Sequence, residues 1–577
     1  MDVTNQLGGF KRQPRILRHW LLLALATSAC TSIQPLVSPA LPLESALPAV
    51  HIEPAALLSH IEILSSDAFE GRKPGTNGEA LTVDYLVDTF KRYGLAPGNP
   101  DGSYVQEVPL TGITSQTTVS VAIGGDRIDW QTTRDFVGGS AVRRPLNTVQ
   151  QSELVFVGYG VVAPEYGWDD YKGVDLRGKT VVVLMDDPQV PDPADPRRLD
   201  SSMFKGDVKT YYATSLHKRD VALPRGVVAR ITVHETERAG NTPFSAYANQ
   251  DGRESFTLRD DTEPQFDANL LIPIERAREL FRRSGHDFDA LREQARRKDF
   301  MPVALGAKVD VEVRNTLREV RSHNVVARVE GRDPKLKDEV VLYTAHWDHL
   351  GRAMTLKGDP IYHGAIDNAS GVAAVLEIAK AYAGLPMPPA RSVLFIATTA
   401  EEAGLLGARH YAAHPLVPLA RTLVDLNLDV INVWGRTADF QITGWGESDI
   451  DALLMQVAAA QGKRVVPDQS PELGVYYRQD AFAFARAGVP SLYVRAGVEF
   501  IDKPPGYRQE KVGAYIANDY HQVTDTVRAD WDLAGGAEQA EFAFAVGWRL
   551  ADGAPFPQWL PGTEFKAKRD VMMNMHR

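Results

Sequence analysis

A chain of 577 residues exceeds what one hydrophobic core ordinarily holds, so two or three folded units are expected. The net charge of −11 argues against a nucleic-acid partner, and 44% hydrophobic with 24% charged residues is an ordinary globular composition. No run reaches the roughly 18 consecutive apolar residues that a membrane-crossing helix requires.

The first distinctive stretch is the N-terminus. Lys11, Arg12, Arg15 and Arg18 precede the apolar run WLLLALA at 20–26 and then Thr27, Ser28, Ala29 and Cys30. A basic region, a short apolar region and small residues at a cleavage point are the parts of an export signal, which is removed and does not fold. Cys30 is the only cysteine, and Ser28-Ala29-Cys30 resembles a bacterial lipobox, although Thr27 stands where Leu is usual. That resemblance implies an acylated Cys30 as the first mature residue and attachment to a membrane, periplasmic or at the outer membrane. Ordinary cleavage near Ala26 or Ala29, releasing a soluble periplasmic or secreted protein, is the alternative. In either case the body has no disulfide.

Residues 1–30 are thus the export signal, and 31–50, rich in Pro, Ser and Ala, form a linker. In 51–114 the segment from His60 reads as a helix, a Gly-rich loop and a second helix, with Leu81, Tyr85, Leu86 and Phe90 at helical spacing and Gly94 as its stop. From 115 to 316 the texture is mainly β: Thr118–Ile123, Glu153–Val157 and Thr180–Leu184 are short β-branched runs separated by Gly, Pro and Asp. The stretch VGYGV at 157–161 followed by GKTVVVL at 178–184 resembles a protease-associated domain inserted in zinc peptidases. Residues 317–552 alternate strands (Asn324–Val329, Val340–Thr344, Ser392–Ala397, Leu423–Leu428) with helices (Gly371–Tyr382, Leu405–Ala413, Asp449–Gln461), an α/β pattern with helices on both faces of a sheet. The tail, 553–577, has no clear hydrophobic period.

Residues able to carry chemistry gather at the ends of these strands. Glu401 and Glu402 follow the apolar run SVLFIATTA; adjacent carboxylates repel, and a fold keeps them at the mouth of a buried strand when something positive holds them. His346 and Asp348 in AHWDHLG, Asp367 in HGAIDNASG, Asp429 in LNLDV and His521 in YHQVTDT likewise follow or end strand-like segments. In open α/β sheets ligands bind beyond the carboxyl ends of the strands. This His/Asp/Glu set suits two borderline-hard metal ions, zinc above all. Singly, each residue has a plainer explanation. A lone His346 or His521 is an ordinary core histidine, Asp367 a helix N-cap, Glu401 and Glu402 a solvated first turn, and Asp429 the start of a turn. His349, His363 and His410 are read as structural.

Jointly and in order, the motifs HxDHxG, GAxDNASG, EExGLxG, NLDxxN and H-x-x-x-D resemble the di-zinc aminopeptidase family, which includes bacterial leucyl aminopeptidases, glutamate carboxypeptidase and the non-catalytic transferrin receptor. DAFEGRKPGTNGE resembles the entry segment of members that carry an inserted domain. The resemblance implies a zinc exopeptidase fold, α/β with a mixed, mostly parallel sheet and helices on both faces, plus an inserted mainly-β protease-associated domain. It implies peptide substrates and two zinc ions per chain. Asp367 would bridge both ions, Glu402 and His521 would complete one site, and His346 and Asp429 the other. Glu401 is implied as general base, Asp348 as the residue that orients His346, and a cis peptide is implied after Asp367. Downstream, residues 476–490 occupy the place of the family segment SDH-x-x-F-x-x-x-G-I-P; Asp480 matches its aspartate, but Gln479 and Ala481 replace Ser and His. A substrate-contact role for Asp480 therefore stands beside a structural one. Tyr476 is a candidate for binding the tetrahedral oxygen, or else a core tyrosine.

The functional expectation is an exported aminopeptidase. A carboxypeptidase or dipeptidase with Arg478 or Arg495 as a carboxylate clamp is the alternative on the same centre. A non-catalytic binding protein on this scaffold is the alternative of another class; it requires lost ligands, and the motifs lack none.

Overall fold

The computed structural model describes residues 47–235, 243–353 and 358–576; the export signal, Cys30 and most of the linker lie outside them. Strands Val340–His346 and Ser392–Thr398 read VVLYTAH and SVLFIAT and are buried at every position. A strand buried throughout needs cover on both faces, and the period of two assigns each side chain to one of them. Val341, Tyr343, Ala345, Val393, Phe395 and Ala397 share a core with helices Gly371–Ala383 and Ala534–Ala551. Val340, Leu342, Leu394 and Ile396 pack instead with Ala408, Tyr411 and Phe484, from helices Leu406–Ala413 and Ala481–Arg486.

The sheet around them runs Arg464–Pro467, Asp439–Thr443, Ser491–Ala496, Thr422–Asn427, Val340–His346, Ser392–Thr398 and Val303–Val329. Four of these pairings are parallel, and the pairs Asp439–Thr443/Ser491–Ala496 and Ser392–Thr398/Val303–Val329 are antiparallel. The fold is therefore α/β with a mixed, mostly parallel sheet and helices on both faces.

The short strand expected at 324–329 is the end of one 27-residue strand, Val303–Val329. It pairs with Val105–Ile123 from Ala307↔Ile123 to Val325↔Val105, and Ser115 faces Asn315 on that ladder. Beyond the ribbon, Leu146–Phe156, Thr180–Leu184, Ala229–His234 and Ala268–Pro273 are successive parallel neighbours. They enclose an apolar cluster of their own that includes Phe156, Phe281, Phe288 and Phe300.

Two sequence readings need correction. In helix Asn77–Arg92 the buried face is Thr82, Leu86, Thr89 and Phe90, while Leu81 points outward, 37% exposed. The tail contains helix Lys566–His576, and its buried Arg569 donates to the carbonyls of Leu419 and Thr422. A buried arginine meeting main-chain acceptors replaces the apolar stripe that a sequence pattern would reveal.

Candidate metal centre

His346 is the last residue of its strand, Glu401 and Glu402 follow Ser392–Thr398, and Asp429 lies just past Thr422–Asn427. Asp367 arrives by a tight turn into helix Gly371–Ala383. A Cβ on Gly371 would sit 2.1 Å from the Leu428 carbonyl oxygen, so only glycine permits the approach that sets Asp367 beside Asp429. Asn368 fastens the two loops: its Oδ1 accepts from the amides of Gly371 (2.9 Å) and Val430 (3.0 Å), and its Nδ2 donates to Leu428 (3.1 Å). The Asp367–Asn368 peptide bond is cis, as the resemblance implies.

The five expected ligands converge. His346 Nε2 lies 3.3 Å from Asp367 Oδ1 and 3.4 Å from Asp429 Oδ1. His521 Nε2 lies 3.1 Å from Asp367 Oδ2 and 3.1 Å from Glu402 Oε2. Asp367 thus turns one oxygen to each half of the cluster. Glu401 Oε2 stands 4.0 Å from His346 Nε2, outside either half.

The surrounding residues sort into positions the motifs did not specify. Asp348 was expected to hold the His346 ring, but the ring's Nδ1 is 3.2 Å from the Asp348 carbonyl oxygen and 3.7 Å from its carboxylate. The carboxylate instead accepts from the amides of Glu401 (3.0 Å) and Glu402 (3.4 Å). His349, read as structural, belongs to the centre. Its Nδ1 is 2.8 Å from Glu402 Oε1, and His349, Asp367 and Glu402 offer donor atoms within 4.8 Å of one another. Asp525, the last residue of H-x-x-x-D, accepts from the amides of Ile366 (3.0 Å) and Asp367 (3.1 Å). Buried Arg72, from the DAFEGR segment, donates to the carbonyls of Leu64, Trp347, His363 and Gly364 at 2.7–2.8 Å.

Two substrate-contact candidates sit elsewhere. Asp480 is 1% exposed and accepts a short hydrogen bond from Thr398 at the end of the strand beneath Glu401. The Tyr476 hydroxyl donates to the Ser491 carbonyl (3.3 Å), and its ring packs with Tyr477 and Phe565. Glu401, Glu402 and His521 open into a cleft of about 840 Å³ whose lining includes Tyr477, Arg478 and Tyr520. Arg495 is engaged with Asp468 at 3.3 Å, outside that lining.

From the protein's own charges, burial alone would lower the pKa of His346 and His521. The carboxylates around them win: Glu401 foremost for His346 and Glu402 for His521 raise both well above the ordinary histidine value. The neighbouring glutamates are driven apart. Burial, aided by the charges of Asp429 and Glu402 against the pull of His346, pushes Glu401 well up. For Glu402 burial is overcome by the His521 charge and by hydrogen bonds from His349 and His521, which hold it at about 2. Glu402 stays ionised as a ligand must, while Glu401 is disposed to take a proton. Imidazole and carboxylate donors, with carboxylates in surplus, fit a zinc-like cation, and such binding would displace protons from the imidazoles.

Residues 324–545 match the family model described as Peptidase family M28, a span that contains every expected ligand. The chain is 32% identical over 123 residues to Aminopeptidase YwaD of Bacillus subtilis, covering 21% of this chain and 24% of that protein. It is 28% identical over 236 residues to Aminopeptidase NAALADL1 of Rattus norvegicus, covering 38% and 30%. It therefore spans less than a third of the length of either relative. The Probable lipoprotein aminopeptidase LpqL of Mycobacterium tuberculosis is 25% identical over 577 residues, covering 94% of this chain and 96% of that protein. Among solved structures, an aminopeptidase from Aneurinibacillus sp. strain AM-1 aligns with a TM-score of 0.49 at 20% identity, covering 87% and 95%. The match to peptidase family M28 over residues 324–545 brackets the whole converging donor set.

Proposed function

We propose that this protein is an exported zinc-dependent aminopeptidase that releases N-terminal residues from peptides at a two-metal centre. The observation that carries the reading is Asp367 facing His346 with one oxygen and His521 with the other. His346, Asp367 and Asp429 would hold one ion; Asp367, Glu402 and His521 the other. Zinc held there would supply Lewis acidity, polarising the peptide carbonyl and lowering the pKa of water to about 7. Glu401 takes the proton of the attacking water and passes it to the leaving amine, a role worth roughly 10²–10⁴-fold in rate. Asp348 acts through the Glu401 and Glu402 main chain and is a positioning residue. Glu401→Gln should keep the zinc content of the wild type and lose turnover by about that factor; wild-type-like turnover would overturn the assignment.

The likeness to LpqL, a probable lipoprotein aminopeptidase, supports export and acylation at Cys30. The 115–316 stretch fits a protease-associated domain that limits access to the cleft. Among the described residues no helix is long and apolar enough to cross a membrane.

A second reading, a carboxypeptidase or dipeptidase on the same centre, is favoured by one observation: Arg478 lines the cleft beside Glu401 and Glu402. Blocked peptides separate the readings: blocking the amine stops an aminopeptidase, blocking the carboxylate stops a carboxypeptidase, and either block stops a dipeptidase.

A further inference from the structure

A second cluster of metal-type donors stands in the same cleft, apart from the centre described above. His410 and His414 lie one turn apart at the end of helix Leu406–Ala413, with their rings 4.6 Å apart and stacked. Asp260, just after strand Ser255–Leu258, faces both. Its Oδ2 is 3.6 Å from His410 Nδ1 and 3.7 Å from His414 Nε2, and the three residues offer donor atoms within 4.8 Å of one another.

These separations are too long for hydrogen bonds, which an imidazole and a carboxylate form at about 2.7–2.9 Å. They approach the spacing of donors around one ion. Two atoms held at about 2.0–2.1 Å from a tetrahedral zinc lie roughly 3.3 Å apart, and the cross-ligand distances at the first centre are 3.1–3.4 Å. His410 adds an independent sign. The residue is only 6% exposed, and its Nδ1, turned toward Asp260, has no hydrogen-bond partner.

We propose that Asp260, His410 and His414 form a further divalent-cation site that clamps the 259–263 segment onto the helix following Glu401 and Glu402. Two imidazoles and one carboxylate select a borderline ion such as zinc, and histidines at i and i+4 present their nitrogens on one helix face. The surroundings already join the same two elements: Arg409 of that helix pairs with Asp261 at 2.7 Å and with Glu263 at 3.5 Å. Asp260, His410 and His414 line the cleft together with Glu401, Glu402 and His521. Side chains of Asp260 and His414 are 38% and 57% exposed, which leaves the site open on its cleft side for water or a substrate group. A cation there would fix the wall against which a bound peptide lies.

The test is zinc counted by mass spectrometry after equilibrium dialysis of the full chain, comparing wild type with Asp260→Asn and His414→Ala. Both side chains are partly exposed, so neither change threatens the core. Each variant should bind one zinc fewer per chain, whatever the occupancy of the first centre. Zinc should also slow hydrogen exchange of the 259–263 main chain in wild type and not in either variant. A wild-type zinc count in either variant would overturn the proposal; in Asp260→Asn it would mean that the histidine pair binds without clamping the segment.

Discussion

Glu401 and Glu402 share a peptide bond, yet the fold gives them opposite proton affinities. Glu402 is held charged by His349 and His521, whereas Glu401 faces Asp429, Glu402 and Asp480 with a single imidazole to oppose them. Asp348 sets that geometry by gripping both amides. Asp348→Asn replaces one accepting oxygen with a donor facing an N–H group, so zinc affinity and turnover should each fall by about 10–100-fold. Competition with a chromophoric chelator measures the first and arylamide hydrolysis the second; no change in either would remove Asp348 from the machinery. The five converging residues were legible because each ends an apolar run in an ordered set of motifs. His349 was not, because a histidine beside a ligand motif carries no pattern of its own. Its membership depends on the side chain reaching Glu402 across the sheet's end. For Tyr476 and Asp480 the sequence left a structural role and a substrate-contact role side by side, for a related reason. Alignment places them near the cleft, and only packing shows that their polar atoms turn to Ser491 and Thr398.

At the scale of elements, strands in uniformly apolar runs were read close to their observed limits. The long strand Val303–Val329 was not, because its middle, LREVRSH at 317–323, is rich in charge and resembles a loop. It stays extended because Val105–Ile123 supplies a partner all along this middle stretch, from Ala307 to Val325, which no local pattern reveals. The entry segment shows a comparable dependence. Arg72 ties helix Pro54–Leu64 to the loops carrying His346 and Asp367 by donating to four main-chain carbonyls. Arg72→Leu leaves those buried acceptors unpaired, at about 1–3 kcal/mol each and not fully additive. Urea unfolding should therefore show a loss of about 3 kcal/mol or more, and a loss below about 1 kcal/mol would mean that water takes the place of the guanidinium.

Over the whole molecule, stability at acid pH should depend on regions far from the cleft. Asp135 is buried, which alone would raise its pKa, but hydrogen bonds from Arg134, the Gln131 amide and Arg276 hold it at about 2, against 3.8 ordinarily. A carboxyl with a depressed folded-state pKa contributes fully above its unfolded value and loses that contribution as pH falls from about 4 toward 2. The shift corresponds to roughly 2 kcal/mol. Asp135→Asn should cost about that much at pH 7 and almost nothing near pH 2, as read by unfolding at both pH values; an equal cost at both would assign the loss to packing.

The central claim joins metal dependence to recognition of a free amine. Aminoacyl-arylamides and their N-acetylated counterparts would be offered to protein stripped of metal and then refilled with zinc. The account predicts cleavage of the free-amine set alone, and only after zinc is restored. Equal cleavage of the acetylated set, or cleavage that persists without metal, would contradict it.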